Sequence, residues 1–193
     1  MHIPNHFSVS DKNIIDEFIH NNAFGQIISI AQGIPVATHL AFMYRPEENK
    51  LLAHIGRGNP QWQNLEGQKV LLILNGPHGY ISPTWYDNAG VPTWDYQTVH
   101  IYGTARCTEY PSVLKELVEE LSSVYESGSE NPWQADYKPS MLRGIIGIEI
   151  CIEDIQCQFK LSQNQTPQEQ QNVSEKLHAE GNIDLANAIP FLP

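Results

Sequence analysis

Three strand-like segments in the first third of the chain are joined by connections too short to hold a helix. Residues 24–30 read as a strand, Ala31-Gln32-Gly33 as a tight turn and residues 34–44 as the returning partner. Pro46-Glu47-Glu48-Asn49 reads as a second turn and residues 51–55 as strand three. A parallel crossover needs a dozen or more residues. The spacing therefore predicts an antiparallel meander and excludes a βαβ series at this point.

The rest of the chain continues the same mixture. Ile14, Ile15, Phe18 and Ile19 make one apolar stripe, so residues 11–21 read as a short helix capped by Ser10 or Asp11. Asn59 followed by Pro60 caps and opens a short helix over 60–65. Residues 68–75 form an apolar run, expected as a strand buried on both faces. Further strands are expected over 80–85, 99–109 and 144–152. Val113, Leu114, Leu117, Val118, Leu121 and Val124 place a helix over 113–125. Residues 127–138 read as a polar loop. Thr166-Pro167-Gln168-Glu169 is a capping box opening a helix to about residue 179, closed by Gly181, with a last short helix over 183–189. Six or seven mostly antiparallel strands with peripheral helices make an α+β chain built on a small β-barrel. Residues 1–160 are expected as that domain and 161–193 as a helical extension packed on it.

Charge and motifs then exclude function classes. The 193 residues carry 22 acidic against 11 basic side chains, a net charge of −11. A surface of that sign repels phosphate backbones, and the basic residues form no run, so direct DNA binding is disfavoured. Cys107, Cys151 and Cys157 form no paired framework, and the first residues have neither a basic region nor a long apolar run, so the expected location is the cytoplasm. No apolar run is long enough to span a bilayer. His39, His54, His78 and His100 form no H-x-H pair and have no carboxylate at ligand spacing, so no metal site is expected. Phosphate-loop, dinucleotide and nucleophile-elbow motifs are absent, and no catalytic residue is assigned.

Two constellations remain. Gly56-Arg57-Gly58-Asn59-Pro60-Gln61-Trp62 places a guanidinium between a strand end and a helix N-terminus, with glycines that let a ligand approach the backbone. That suits a phosphate, although a plain turn with a solvated Arg has the same pattern. Residues 76–100 gather Trp85, Tyr86, Trp94, His78 and His100 among prolines. Such crowding builds a wall for a planar ligand, an aromatic subunit contact or a small core beneath a loop. Lys160 and Ser162, two apart on an extended segment, add polar groups.

Met1-His2-Ile3-Pro4-Asn5-His6-Phe7, Ala37-Thr38-His39-Leu40, residues 54–62, 76–86 and 91–96, Val99-His100-Ile101-Tyr102-Gly103, residues 141–147 and 160–164 together resemble the PaiB family, described as FMN-binding negative transcriptional regulators. The resemblance covers nearly the whole chain in order. Ile55-Gly56 departs from the family pattern, which carries Ala or Val before the Arg, and residues 87–90 are short. The resemblance implies an FMN-binding split barrel and a homodimer with flavin sites at the subunit interface. By that resemblance Arg57 contacts the phosphate, and His54, Asn59, Gln61 and Trp62 shape its pocket. Trp85, Tyr86 and Trp94, from the partner subunit, wall the isoalloxazine ring, with His100 among the binding residues. Lys160, Ser162 and Gln163 close the site. The alternatives are a flavin-dependent oxidoreductase and a ligand-sensing regulatory dimer without flavin or direct DNA contact.

Overall fold

The computed structural model of the protein describes residues 1–189. Its strands are β1 (Ser8–Val9), β2 (Phe24–Ala31), β3 (Ile34–Ala41), β4 (Met43–Arg45), β5 (Lys50–Gly56), β6 (Lys69–Ile81), β7 (Thr93–Thr108) and β8 (Ile145–Lys160). Its helices are α1 (Lys12–Asn21), α2 (Pro111–Glu126), α3 (Pro167–Ala179) and α4 (Ile183–Ala188). The sheet runs β3-β2-β6-β7-β8-β5-β4, with β1 paired to β8. Every pairing with an assigned register is antiparallel. No pairing joins β3 to β4 among the described residues, so the strand order stays open.

The chain divides into two compact units. One holds Met1–Phe18, Asn75–His100 and the chain from Gln156 onward; the other holds Ile19–Leu74 and Ile101–Ile155. The long strands β6, β7 and β8 contribute residues to both.

Within the second unit the expected meander breaks at Phe42. Residues 34–44 are not one strand: β3 ends at Ala41, Phe42 is buried, and its N–H donates to Ala23 O at 2.8 Å. The β2–β3 hairpin and the β4–β5 hairpin then go to opposite ends of the strand order. β2 takes β6 as its other neighbour and β5 takes β8. A tight turn sets only the pairing it closes, and burying the Phe42 ring decides where the chain goes next. The turn between β4 and β5 rests on Asn49, which is left-handed at φ 55° and donates its side-chain amide to Ile152 O at 2.7 Å.

β6 corrects a second expectation. Val70, Leu72 and Leu74 are buried while Leu71 and Ile73 are only half-covered, so one face is packed, not two. The apolar stripe of α2 is also narrower than expected. Leu114, Leu117 and Leu121 are buried; Val113 and Val124 stay exposed. Leu117 and Leu121 pack with Met43, flanked by Ala41 and Leu52.

In the first unit the capping box forms as read. Thr166 Oγ1 accepts from Glu169 N, and the Glu169 carboxylate accepts from Thr166 N at 3.1 Å. α3 and α4 close down on the strand at Gly79, where a Cβ would lie 2.7 Å from Asn182 and 2.9 Å from Leu185.

Candidate functional site

The expected binding residues fall into two sets, one in each unit. His54, Arg57, Asn59, Gln61 and Trp62 belong to the second unit; Trp85, Tyr86, Trp94, His100, Lys160, Ser162 and Gln163 belong to the first.

The first set surrounds the turn after β5. Asn59 caps the 3-10 turn Pro60–Asn64: its Oδ1 accepts from Gln61 N at 3.0 Å, and its Nδ2 donates to Thr38 Oγ1 at 2.9 Å. Gln61 is 2 % exposed. Its Nε2 donates to Ile27 O, Ser29 Oγ and Val36 O at 3.2, 2.9 and 3.1 Å, and its Oε1 accepts from Thr38 Oγ1. Gln61 therefore ties the turn to the β2–β3 hairpin and presents no free amide to a ligand. Trp62 Nε1 donates to Arg57 O at 3.0 Å, and the Arg57 guanidinium lies 5.9 Å over the Trp62 ring. Arg57 Nε donates to Arg143 O at 2.6 Å and Nη1 meets Glu109 Oε2 at 2.7 Å. A Cβ built at Gly56 or Gly58 meets nothing within 4 Å, so both glycines border open space. The turn is a partly exposed cationic ledge, its charge balanced by Glu109.

The second set is more dispersed. Trp85 is buried at the end of the 3-10 turn Pro83–Trp85, so it packs as core. Trp94 is 56 % exposed and meets the Tyr80 ring edge-on, centroids 6.3 Å apart. Tyr86 lines a cavity of about 520 Å³ with Phe7, Val91, Thr93, Lys160 and Ser162. Burial, chiefly, pushes the Tyr86 phenol above its ordinary value, which keeps it a hydrogen-bond donor. Ser162 departs from the expected extended segment, being left-handed at φ 59°. Gln163 folds onto its own backbone, accepting from Leu161 N and donating to Phe159 O.

His54 and His100 each keep a buried Nδ1 with no partner among the described residues. Desolvation lowers the imidazole pKa of both, so the neutral ring is favoured. A neutral ring with an unpartnered nitrogen can still give or take one hydrogen bond.

The sequence reading missed Glu109, the counter-ion of Arg57, and Asp95, which is fully buried. Lys160 Nζ meets Asp95 Oδ1 at 2.9 Å, and Ser162 Oγ donates to Asp95 Oδ2 at 2.6 Å. One signal was available. Asp95 is the sole carboxylate within residues 88–108, a stretch otherwise suited to a covered strand.

An open antiparallel sheet in this order, decorated by helices, is the split-barrel fold of flavin-binding structures. It aligns with the flavocytochrome Anf3 from Azotobacter vinelandii at TM-score 0.66 and 14% identity, covering 82% of this chain and 72% of that one. It aligns with the FAD and heme binding protein from Mycobacterium smegmatis at TM-score 0.65 and 13% identity, covering 79% and 73%. The chain belongs to the PaiB family: the family model described as "Putative FMN-binding domain" matches residues 1–154, and the chain is 40% identical over 190 residues to "Protease synthase and sporulation protein PAI 2" of Bacillus subtilis (strain 168), covering 94% of this chain and 91% of that protein. Lys160, Ser162 and Gln163 lie beyond the residues that the family model matches.

Proposed function

We propose that the protein binds FMN as a homodimer and serves as a negative transcriptional regulator that does not itself contact promoter DNA. The observation carrying the flavin reading is the Arg57 ledge beside two glycines that face open space, in a chain of an FMN-binding family. The residues present fit the cofactor. Arg57 would hold the phosphate, with Asn59 and Trp62 keeping the turn in shape. The exposed Trp94 ring, from the partner subunit, would cover the isoalloxazine face, with Tyr86 beside it. The Nδ1 atoms of His54 and His100 are each unpartnered among the described residues but buried, so neither is assigned a ligand contact. Bound FMN supplies a planar, redox-active ring, and this chain's residues bind it, orient it and shield it from water. Residues 1–160 would form the flavin-binding module and the described residues beyond 160 a helical extension of it; residues 190–193 of the expected extension lie outside the described residues.

Arg57→Ala is expected to weaken FMN binding by roughly 1.5–3 kcal/mol, the range for a hydrogen bond to a charged group. Glu109→Gln should tighten it, because a phosphate no longer competes with that carboxylate. Titration by flavin fluorescence quenching decides both, and unchanged affinity in Arg57→Ala removes the assignment.

The homodimer is supported by β3, which ends the strand order with Ile34 exposed, and by the outward-facing Trp94 and Phe24. Sedimentation equilibrium at micromolar protein should give twice the chain mass. A monomer there would end the shared-site reading.

The regulatory role rests on the resemblance to the PaiB family, and its indirect action on charge. Of 11 basic side chains, Lys12, Arg45, Lys50, Arg57, Lys69, Lys115 and Lys160 all have carboxylate partners. A phosphate backbone would have to displace those partners against a net charge of −11. No retardation of promoter DNA is expected at physiological ionic strength. Sequence-selective binding tighter than about 1 μM, beyond ordinary non-specific affinity, would show that the protein acts on DNA directly.

A further inference from the structure

A fully hydrogen-bonded polar cluster is built within the first unit. Lys160 Nζ donates to Asp95 Oδ1 at 2.9 Å, Trp94 O at 2.6 Å and Thr93 Oγ1 at 2.9 Å. An ammonium has three protons, so these acceptors occupy it fully and leave none for a ligand. Ser162 Oγ takes the other Asp95 oxygen. The left-handed backbone at Ser162 turns the chain just after β8. Side chains alternate along β7, so Asp95 points inward and its neighbour Trp94 points out. Three bonds from one ammonium thus clamp residues 93, 94 and 95 together, beneath the exposed indole.

We propose that Asp95 is a positioning residue: with Lys160 and Ser162 it fixes the backbone at Trp94, so that the indole is held ready as a stacking face for a planar ring. Lys160 and Ser162 act through this cluster and do not touch the ligand. The inference rests on the flavin reading for the identity of the ring, while the clamp itself is a property of the unliganded chain. A pre-ordered indole saves the cost of immobilising it on binding.

The test uses Asp95→Asn and Ser162→Gly. The glycine suits the left-handed backbone and removes the whole hydroxymethyl group that bonds Asp95. In ligand-free protein, Trp94 emission is isolated by difference from Trp94→Phe. Both variants should show stronger acrylamide quenching and lower anisotropy of that emission. FMN titration should then show affinity weakened by about two- to tenfold in Asp95→Asn, the range expected for ordering one loosened side chain. Ser162→Gly should lose less, and both should blunt the shift of the flavin absorption band that stacking on an indole produces. Unchanged Trp94 quenching in the folded variants overturns the proposal. So does a loosened Trp94 with wild-type FMN affinity and band shift. If Asp95→Asn does not fold, Ser162→Gly carries the same measurements to the same decision. Failure of the unsubstituted protein to bind FMN counts against the flavin reading alone, because the ligand-free quenching still reports on the clamp.

Discussion

At neutral pH, Lys160→Met is expected to lower the free energy of unfolding by about 3–5 kcal/mol, the cost of leaving a buried charge without its partner. Asp95 is fully buried and the Lys160 side chain is 20 % exposed, so neither is well screened by water. Met retains most of the aliphatic volume, so the loss comes from charge and hydrogen bonds and little from packing. It also strips the donor from Trp94 O and Thr93 Oγ1. A chain of this length loses about 2–4 °C of Tm per kcal/mol. A drop of about 6–20 °C in thermal unfolding is therefore the expected reading. Asp95→Leu combined with Lys160→Met should recover much of it, because replacing a whole buried pair by apolar groups is often near neutral. A loss of no more than about 1 kcal/mol in the single variant, the worth of a surface pair, would mean that water reaches the carboxylate.

The second large effect is expected at Gln61. Gln61→Leu keeps nearly the same volume, yet it removes the buried amide and leaves each of its partners without it. Ile27 O, Val36 O and Ser29 Oγ lose a donor, and Thr38 Oγ1 loses its acceptor. Leaving a buried polar group unsatisfied costs about 1–3 kcal/mol. With several groups affected and part of the loss recovered by relaxation, about 3 kcal/mol is expected, read by urea unfolding as a lower midpoint at unchanged slope. A change within about 0.5 kcal/mol would show that these groups find other partners, as surface positions do. Gln61 stands in the turn that carries Arg57, so loosening it should also weaken FMN binding, linking stability to the ligand site.

These predictions concern residues that the sequence marks as ligand-contact candidates and that the structure ties to distant internal partners. Gln61 was singled out by its place after Asn59-Pro60, which is a local signal. Its partners at 27, 29, 36 and 38 lie more than twenty residues away, and no spacing reveals them. Lys160 and Ser162 were recognised as polar groups near the aromatic stretch. Their shared partner is Asp95, some 65 residues earlier. By contrast, Arg57 stands where the reading put it, on a turn that its glycines leave open.

The sequence by itself determined the features whose interactions close within a few residues. The Thr166–Glu169 capping box, the Asn59 cap, the turn at Gln32-Gly33 and the left-handed Gly181 all formed as read. Each depends on side chains and dihedral preferences within about one turn of chain. The antiparallel character was legible too, because short connections permit little else. The tertiary structure alone decided which strands became neighbours. The sequence pattern places β2 and β5 on either side of one strand over residues 34–44, but the chain parts at Phe42, β2 takes β6 and β5 takes β8. It also decided that Trp85 is core while Trp94 faces outward, and that Asp95 is buried against Lys160. The physical reason is range. Caps and turns are satisfied locally, whereas strand order and buried charge depend on apolar area and polar partners that only distant segments can supply.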